Sequence, residues 1–91
     1  MKLHWTSKGS SDLIRLHQFS AALNPSAAEK ILSRVAKTIE RLLVYPRLGT
    51  RIDQHPQQEI RRLIAGIYEI RYEIRKSDIY IIRIWHTREK R

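Results

Sequence analysis

Charged residues of both signs alternate with apolar ones between positions 68 and 75 of this 91-residue chain. Glu69, Arg71, Glu73 and Arg75 occupy one side of the alternation, and tyrosines and isoleucines occupy the other. This pattern predicts a β-strand with one buried face and one solvated face. Two carboxylates four residues apart on a strand lie about 13 Å from each other, whereas a glycosidase pair needs about 5–9.5 Å. We therefore interpret the charges as cross-strand ion pairs rather than acid–base catalysts.

Other residues that could support catalysis or bind a metal are few and scattered. His4, His17, His55 and His86 show no i, i+4 spacing, and the chain has no cysteine. It also contains no HExxH motif, no nucleophile elbow and no glycine-rich phosphate loop. The sequence therefore predicts no metal site and no cofactor. Only His86 stands out, because it ends the last predicted strand close to Arg88.

Positive charge is the dominant property of the composition. Eighteen Lys and Arg residues against nine Asp and Glu give a formal net charge of +9. This excess favours nucleic acid or an acidic protein as the partner, and charge alone does not choose between them. No apolar run is long enough to span a bilayer, and the N-terminus lacks the apolar core of a signal peptide. We expect a cytoplasmic protein without a membrane partner.

Two helices are predicted in the first half of the chain. Serines and a glycine at positions 7–11 predict a break, after which a helix runs to about Leu23. Its apolar positions are Leu13, Leu16, Phe19 or Ser20, and Leu23. Asn24 and Pro25 are typical of the N-cap and first position of a second helix. The polar face of the second helix carries Lys30, Arg34, Lys37 and Arg41. So tight a link predicts an antiparallel helix hairpin.

Strands are predicted at both ends of the chain. Alternation at positions 2–6 predicts a short first strand. After a polar loop at 51–58, three runs at 59–65, 68–75 and 79–86 are separated by tight turns and predict an antiparallel meander. Within the last run, alternation places Arg83 and Trp85 opposite Tyr80, Ile82 and Ile84. Trp85 is either a lid on the second face of the sheet or a contact residue.

The predicted architecture is a single α+β domain over residues 1–91. An N-terminal strand is followed by the helix hairpin, which packs on a small antiparallel sheet of three further strands. The segments LNPSAAEKI, YPRLG, IRRLIAGIYEIRYEI and IIRIWHTRE occur in this order. Together they resemble the ParE/RelE superfamily of type II toxin–antitoxin toxins over residues 5–89. The resemblance implies a small toxin that is neutralised by a neighbouring antitoxin with an acidic, disordered tail, and that reaches operator DNA only through this antitoxin.

The superfamily contains two kinds of toxin, and Glu69 bears on the choice between them. RelE-like members cut messenger RNA on the ribosome, and in them an arginine follows the first tyrosine of the third-strand motif. Here that position is Glu69, where a carboxylate would repel the scissile phosphate. RelE-like members also have a tyrosine beyond the arginine that matches Arg88, and no tyrosine follows Arg88 here. We therefore expect a ParE-like toxin that poisons DNA gyrase by binding.

The resemblance and the charge pattern together assign candidate contact residues. Expected target contacts near the C-terminus are Arg83, His86, Arg88, Lys90 and Arg91. A second basic set for the target is Lys30, Arg34 and Lys37. Expected antitoxin contacts are Arg61, Arg71, Arg75 and Trp85. Two alternatives stay open. One is a ribosome-dependent mRNA endonuclease that uses Arg62, His86 and Arg88, or that pairs His86 with Glu69 or Glu89 as some relatives use His and Glu. The other is a non-toxic protein that only completes a repressor complex with its antitoxin.

Overall fold

The computed structural model describes residues 1–52, 54 and 56–88. Its elements are β1 (Leu3–Trp5), α1 (Ser7–Leu23), α2 (Pro25–Leu42), β2 (Thr50–Arg51), β3 (Glu59–Ala65), β4 (Tyr68–Arg75) and β5 (Asp78–His86). The strands form one sheet in the order β1-β5-β4-β3-β2, with β1 parallel to β5 and the other neighbours antiparallel. The α+β class and the meander are confirmed. The sheet has one more strand than predicted, because Arg51, the first residue of the expected polar loop, and the preceding Thr50 pair with β3.

A single residue, Asn24, connects the two helices of the hairpin. Its backbone N–H donates to the carbonyl oxygen of Ser20 at 2.8 Å, and its side-chain oxygen accepts from the N–H of Ala27 at 3.2 Å. Asn24 therefore ends α1 and caps α2, whose first residue is Pro25. The two helices pack on each other as predicted. Neither of them is long and apolar enough to cross a membrane.

The first helix begins earlier than predicted. The expected break at 7–11 is the first turn of α1, and Thr6 is its N-cap. The Thr6 hydroxyl accepts from the N–H of Gly9 at 3.1 Å and donates to the carbonyl oxygen of Ile81 at 2.8 Å. A Cβ at position 9 would overlap that same carbonyl group. Gly9 therefore allows close packing of α1 on β5 rather than breaking the helix.

One face of the sheet, the inner face, packs on the helices, and we call the opposite face the outer face. The buried core combines Leu16, Val35, Ile39 and Leu42 from the helices with Tyr68, Ile70, Tyr72, Ile79, Ile81 and Ile84 from the sheet. The predicted inward side of β4 is confirmed. On α1 the prediction for Leu23 is wrong, because this side chain is 76% exposed. Phe19 also faces solvent, at 67% exposure.

A β-bulge in β5 changes which residues face the core. Arg71 and Tyr72 are adjacent on β4 but lie opposite Arg83 and Ile81, so Ile82 is an extra residue. The side-chain alternation therefore shifts by one position across the bulge. Residues 79 and 81 face inwards before the bulge, and residue 84 faces inwards after it. The predicted grouping of Tyr80 with Ile84 is wrong, because Tyr80 shares the outer face with Arg83 and Trp85.

Candidate partner-binding surfaces

The outer face of the sheet buries the two carboxylates of β4. Glu69 and Glu73 are only 2% and 5% exposed, so this face is not the solvated surface that the alternation predicted. Arg71 Nε donates to Glu69 Oε2 at 3.0 Å, and Arg75 Nη2 donates to Glu73 Oε1 at 2.7 Å. These ion pairs run along β4, and the prediction of cross-strand pairs is wrong for them.

A row of arginines across the sheet explains why these ion pairs run along β4 rather than between strands. Arg71 lies in register between Arg62 on β3 and Arg83 on β5, and like charges directly opposite each other repel. Trp85 lies against two of them, with the guanidinium carbons of Arg71 and Arg83 at 4.7 and 4.9 Å from its ring centroid. Such stacking stabilises a cation by about 0.5–1 kcal/mol at exposed sites. Trp85 is 8% exposed and therefore serves as a lid on the outer face.

Asp12 joins α1 to the bulged strand. Its carboxylate accepts from Arg83 Nε at 2.7 Å, from Arg83 Nη2 at 3.3 Å and from the backbone N–H of Ile84 at 2.9 Å. Burial alone would raise the pKa of Asp12, but these hydrogen bonds outweigh burial and lower it. Arg15 lies 3.6 Å from the same carboxylate. Sequence reasoning missed Asp12 because Arg83 is 71 residues away in the chain.

Arg61 differs from the other three residues that were predicted to contact an antitoxin. It lies on the inner side of β3, where Nε donates to Glu59 at 2.9 Å and Nη1 donates to the carbonyl oxygen of Gly49 at 2.7 Å. Burial alone would raise the pKa of Glu59, but its bonds to Arg61 and Arg47 lower it. Arg61 thus fixes the loop after α2. The structure brings the remaining three, Arg71, Arg75 and Trp85, together on the outer face.

The residues that a nuclease would use are divided between the two faces of the sheet. Arg62 is exposed on the outer face. His86 is on the inner side, where its ring meets Tyr68 edge-on at 5.7 Å between centroids. Arg88 follows it, and its backbone N–H donates to His86 Nδ1 at 3.1 Å. Within residues 1–52, 54 and 56–88, no group of three or more His, Asp or Glu residues could hold a metal ion.

A cleft lies between α1 and the end of β5. Its volume is about 420 Å³, and it is lined by Arg15, Phe19, His86 and Arg88. Two of the predicted target contacts, His86 and Arg88, therefore meet α1 here. Arg83, by contrast, is bound by Asp12 of α1. Glu89, Lys90 and Arg91, like His55, lie outside the described residues.

The basic set on α2 borders a second cleft. Lys30, Arg34 and Lys37 are all exposed. Lys30 and Arg34 line a cleft of about 300 Å³ between α2 and the β3–β4 turn. Tyr68 lines the same cleft and contacts His86. The structure therefore connects part of the α2 set to the C-terminal set through Tyr68.

Comparisons with known proteins agree with this architecture. A family model described as ParE toxin of type II toxin-antitoxin system, parDE, matches residues 3–91. A solved structure titled "Chromosomal ParDE TA system from P. aeruginosa" superposes with a TM-score of 0.78 and covers 94% of this chain and 95% of its own. The two chains are 23% identical, so this likeness concerns the fold. A search of curated protein sequences finds no significant match.

Proposed function

This chain belongs to the ParE toxin family of type II toxin–antitoxin systems, and from that membership we propose that it binds DNA gyrase and stalls the enzyme on cleaved DNA. The toxin acts by binding, and the chemistry of DNA cleavage stays with gyrase. A cognate antitoxin with an acidic, disordered tail neutralises it. Operator DNA is contacted only through that antitoxin.

The observation that carries this proposal is the environment of Glu69. RNA-cutting relatives, by the resemblance described above, hold an arginine at this position. Here the carboxylate is 2% exposed, lies opposite Trp85 in the sheet and binds Arg71. A cation in its place would leave two like charges in a nearly dry site. The fold therefore depends on a carboxylate where RNA cleavage requires stabilisation of a phosphate.

The positions of Arg62 and His86 give further support for a non-enzymatic action. A general acid or base must come within about 3 Å of the proton that it transfers, directly or through one water molecule. Arg62 and His86 point to opposite faces of the sheet, so one scissile phosphate does not reach both without rearrangement. The nuclease alternative is thereby disfavoured.

The charge and the sheet edge support an antitoxin with an acidic tail. The formal net charge is +9. The two-residue β2 pairs only with Arg61 and Arg62, which leaves the last part of β3 at the edge of the sheet. Ile64 on this edge is 53% exposed. An extended acidic segment gains main-chain hydrogen bonds at such an edge, and Arg71 and Arg75 on the outer face are candidate partners for its carboxylates.

Removal of residues 87–91 tests the proposal in cells. Induction of the full chain without antitoxin should arrest growth while protein synthesis continues, and co-expression of the antitoxin should restore growth. The truncated chain should lose toxicity but still bind the antitoxin. Loss of both properties, or of neither, would count against this assignment. Growth that continues in the absence of antitoxin would favour the non-toxic co-repressor instead.

A further inference from the structure

Three large apolar side chains on α1 face solvent, and two of them, Phe19 and Leu23, lie close together near the end of the helix. Phe19 is 67% exposed and Leu23 is 76% exposed. They are four residues apart, so they lie on one side of the helix and form a short ridge. On α2, which packs beside α1, the exposed positions are mainly charged, and its large apolar residues are buried or half-buried. The ridge is therefore a local feature of α1.

Cationic groups border this ridge. Arg15 precedes Phe19 by four residues, so it continues the same side of α1. Arg15 and Phe19 line the cleft of about 420 Å³ with His86 and Arg88 at the end of β5. We call Arg15, Phe19, Leu23, His86 and Arg88 together the α1–β5 surface. It combines an apolar ridge with a positively charged cleft.

The α1–β5 surface is held in a fixed geometry. Asp12 lies on α1 one turn before Arg15 and binds Arg83 and the N–H of Ile84 on β5. The N–H of Thr87 donates to the carbonyl oxygen of Ile67 at 2.8 Å, which secures the chain just before Arg88. A preorganised surface loses less conformational entropy when it binds. This rigidity is suited to recognition of a folded partner.

The composition of the surface discriminates among possible occupants. A second copy of the chain would present the same ridge with the same cations, so the cations around each ridge would repel. An extended acidic tail binds best where it can pair with free backbone groups, and the side of a helix offers none. A folded protein with an apolar recess bordered by carboxylates complements both the ridge and the cations.

We propose that the α1–β5 surface is the face by which this toxin holds its folded target, and that it inserts Phe19 and Leu23 into an apolar recess bordered by Asp or Glu residues. The inference rests on the proposed function, since it names the contact face for gyrase. The ridge adds an apolar contact with the target to the ionic contacts that the basic residues provide. The antitoxin tail binds elsewhere, at the free edge of the sheet.

The double substitution F19A/L23A tests the ridge. Both side chains are exposed and alanine favours helices, so the melting temperature should stay that of the unsubstituted chain. The concentration needed for half-maximal inhibition of gyrase supercoiling should rise at least tenfold, because central apolar anchors dominate interface energies. Affinity for the antitoxin encoded beside this gene, measured by calorimetry, should change less than twofold. The matched control is V44A, which removes a side chain that is 69% exposed in the loop after α2 and should change neither value.

A charge reversal tests the border of the ridge. R88E should also raise the inhibitory concentration at least tenfold, and the loss should be smaller at high salt because ionic attraction is screened there. Unchanged inhibition by F19A/L23A would overturn the proposal. An equal or larger loss of antitoxin affinity would overturn it too, by assigning the ridge to the antitoxin. Conversion of a dimer into a monomer by F19A/L23A, seen by analytical ultracentrifugation, would assign the ridge to self-association.

Measuring growth arrest distinguishes a failure of this proposal from a failure of the proposed function. If the unsubstituted chain leaves gyrase untouched but arrests growth, the assignment to gyrase fails. In that case, loss of arrest with F19A/L23A and not with V44A supports the α1–β5 surface as the contact for another target. Arrest that persists in F19A/L23A overturns the surface as well. A chain that arrests nothing has no target contact, which also overturns it.

Discussion

The outer face of the sheet and the α1–β5 surface contain the same kinds of residue and use them differently. On the outer face, Arg71 is bound by the buried Glu69 and Arg83 by the buried Asp12 of α1, and both guanidinium groups stack on Trp85. On the α1–β5 surface, Phe19 faces solvent and the guanidinium of Arg88 has no carboxylate partner among the described residues. In the first region these contacts stabilise the fold, and the second region is the one that we propose for the folded target. A net charge of +9 therefore does not distinguish these two regions, whereas the positions of the buried carboxylates do.

The largest effect should come from the lid of the outer face. W85A removes a nearly buried indole and both of its stacking contacts, which should lower the free energy of unfolding by about 3–5 kcal/mol. Urea denaturation followed by circular dichroism measures this change. The matched control is F19A, an exposed aromatic residue whose loss should cost less than about 0.5 kcal/mol. Similar stabilities for W85A and F19A would erase the contrast between the two regions.

A somewhat smaller effect is expected at the junction of the two regions. D12A removes the carboxylate that accepts from Arg83 and from the N–H of Ile84. It should cost about 3 kcal/mol, the low end for a broken buried ion pair, because Arg83 keeps partial contact with water. Its control is D12N, which keeps the size of the side chain and one oxygen acceptor and should cost less. Equal unfolding free energies for D12A and the unsubstituted chain would show that α1 does not depend on this clamp.

The contacts of Asp12 with Arg83 and Ile84 also predict that stability depends on pH. Because the folded state lowers the pKa of Asp12, its ionised form contributes stability above its ordinary pKa of about 4, and that contribution is lost as pH falls through the lower folded value. The difference in unfolding free energy between the unsubstituted chain and D12A should therefore be full at pH 7 and should shrink below pH 4. A difference that stays constant down to pH 2 would contradict this assignment.

The smallest effect on stability should come from the α1–β5 surface. F19A/L23A removes two side chains that are mostly in water, so we expect a change within about 0.5 kcal/mol together with the functional loss described above. Chemical denaturation of the double variant and of V44A side by side measures this. A stability loss of several kcal/mol would show that the ridge stabilises the fold, and the difference between the two regions would disappear.

Local rules predicted the hairpin and the central strand well. Asn24 and Pro25 carry their own capping chemistry, so the boundary between the helices follows from two adjacent residues. The alternation of β4 likewise identified its inward side, because a strand has a period of two. In both cases the information lies within a few residues of the feature.

Features that depend on distant contacts were not predictable in this way. No glycine or proline marks the bulge at Ile82. Gly9 is typical of a helix break, and its role in close packing becomes apparent only from its contact with β5. Asp12 looked like an ordinary polar residue on α1 because its acceptor role appears only with Arg83 in place. The exposure of Phe19 was equally hidden, since an apolar residue at that spacing is typical of a core position.

The most direct test of the central claim is a plasmid supercoiling assay with purified gyrase, ATP and this protein, in which cleavage products are trapped with denaturant. Our account predicts inhibited supercoiling and accumulation of linear plasmid, with no effect of V44A and a shift of at least tenfold with F19A/L23A. Normal supercoiling at saturating toxin, together with messenger RNA cut in the ribosomal A site, would contradict it. That result would favour the mRNA endonuclease that uses Arg62, His86 and Arg88.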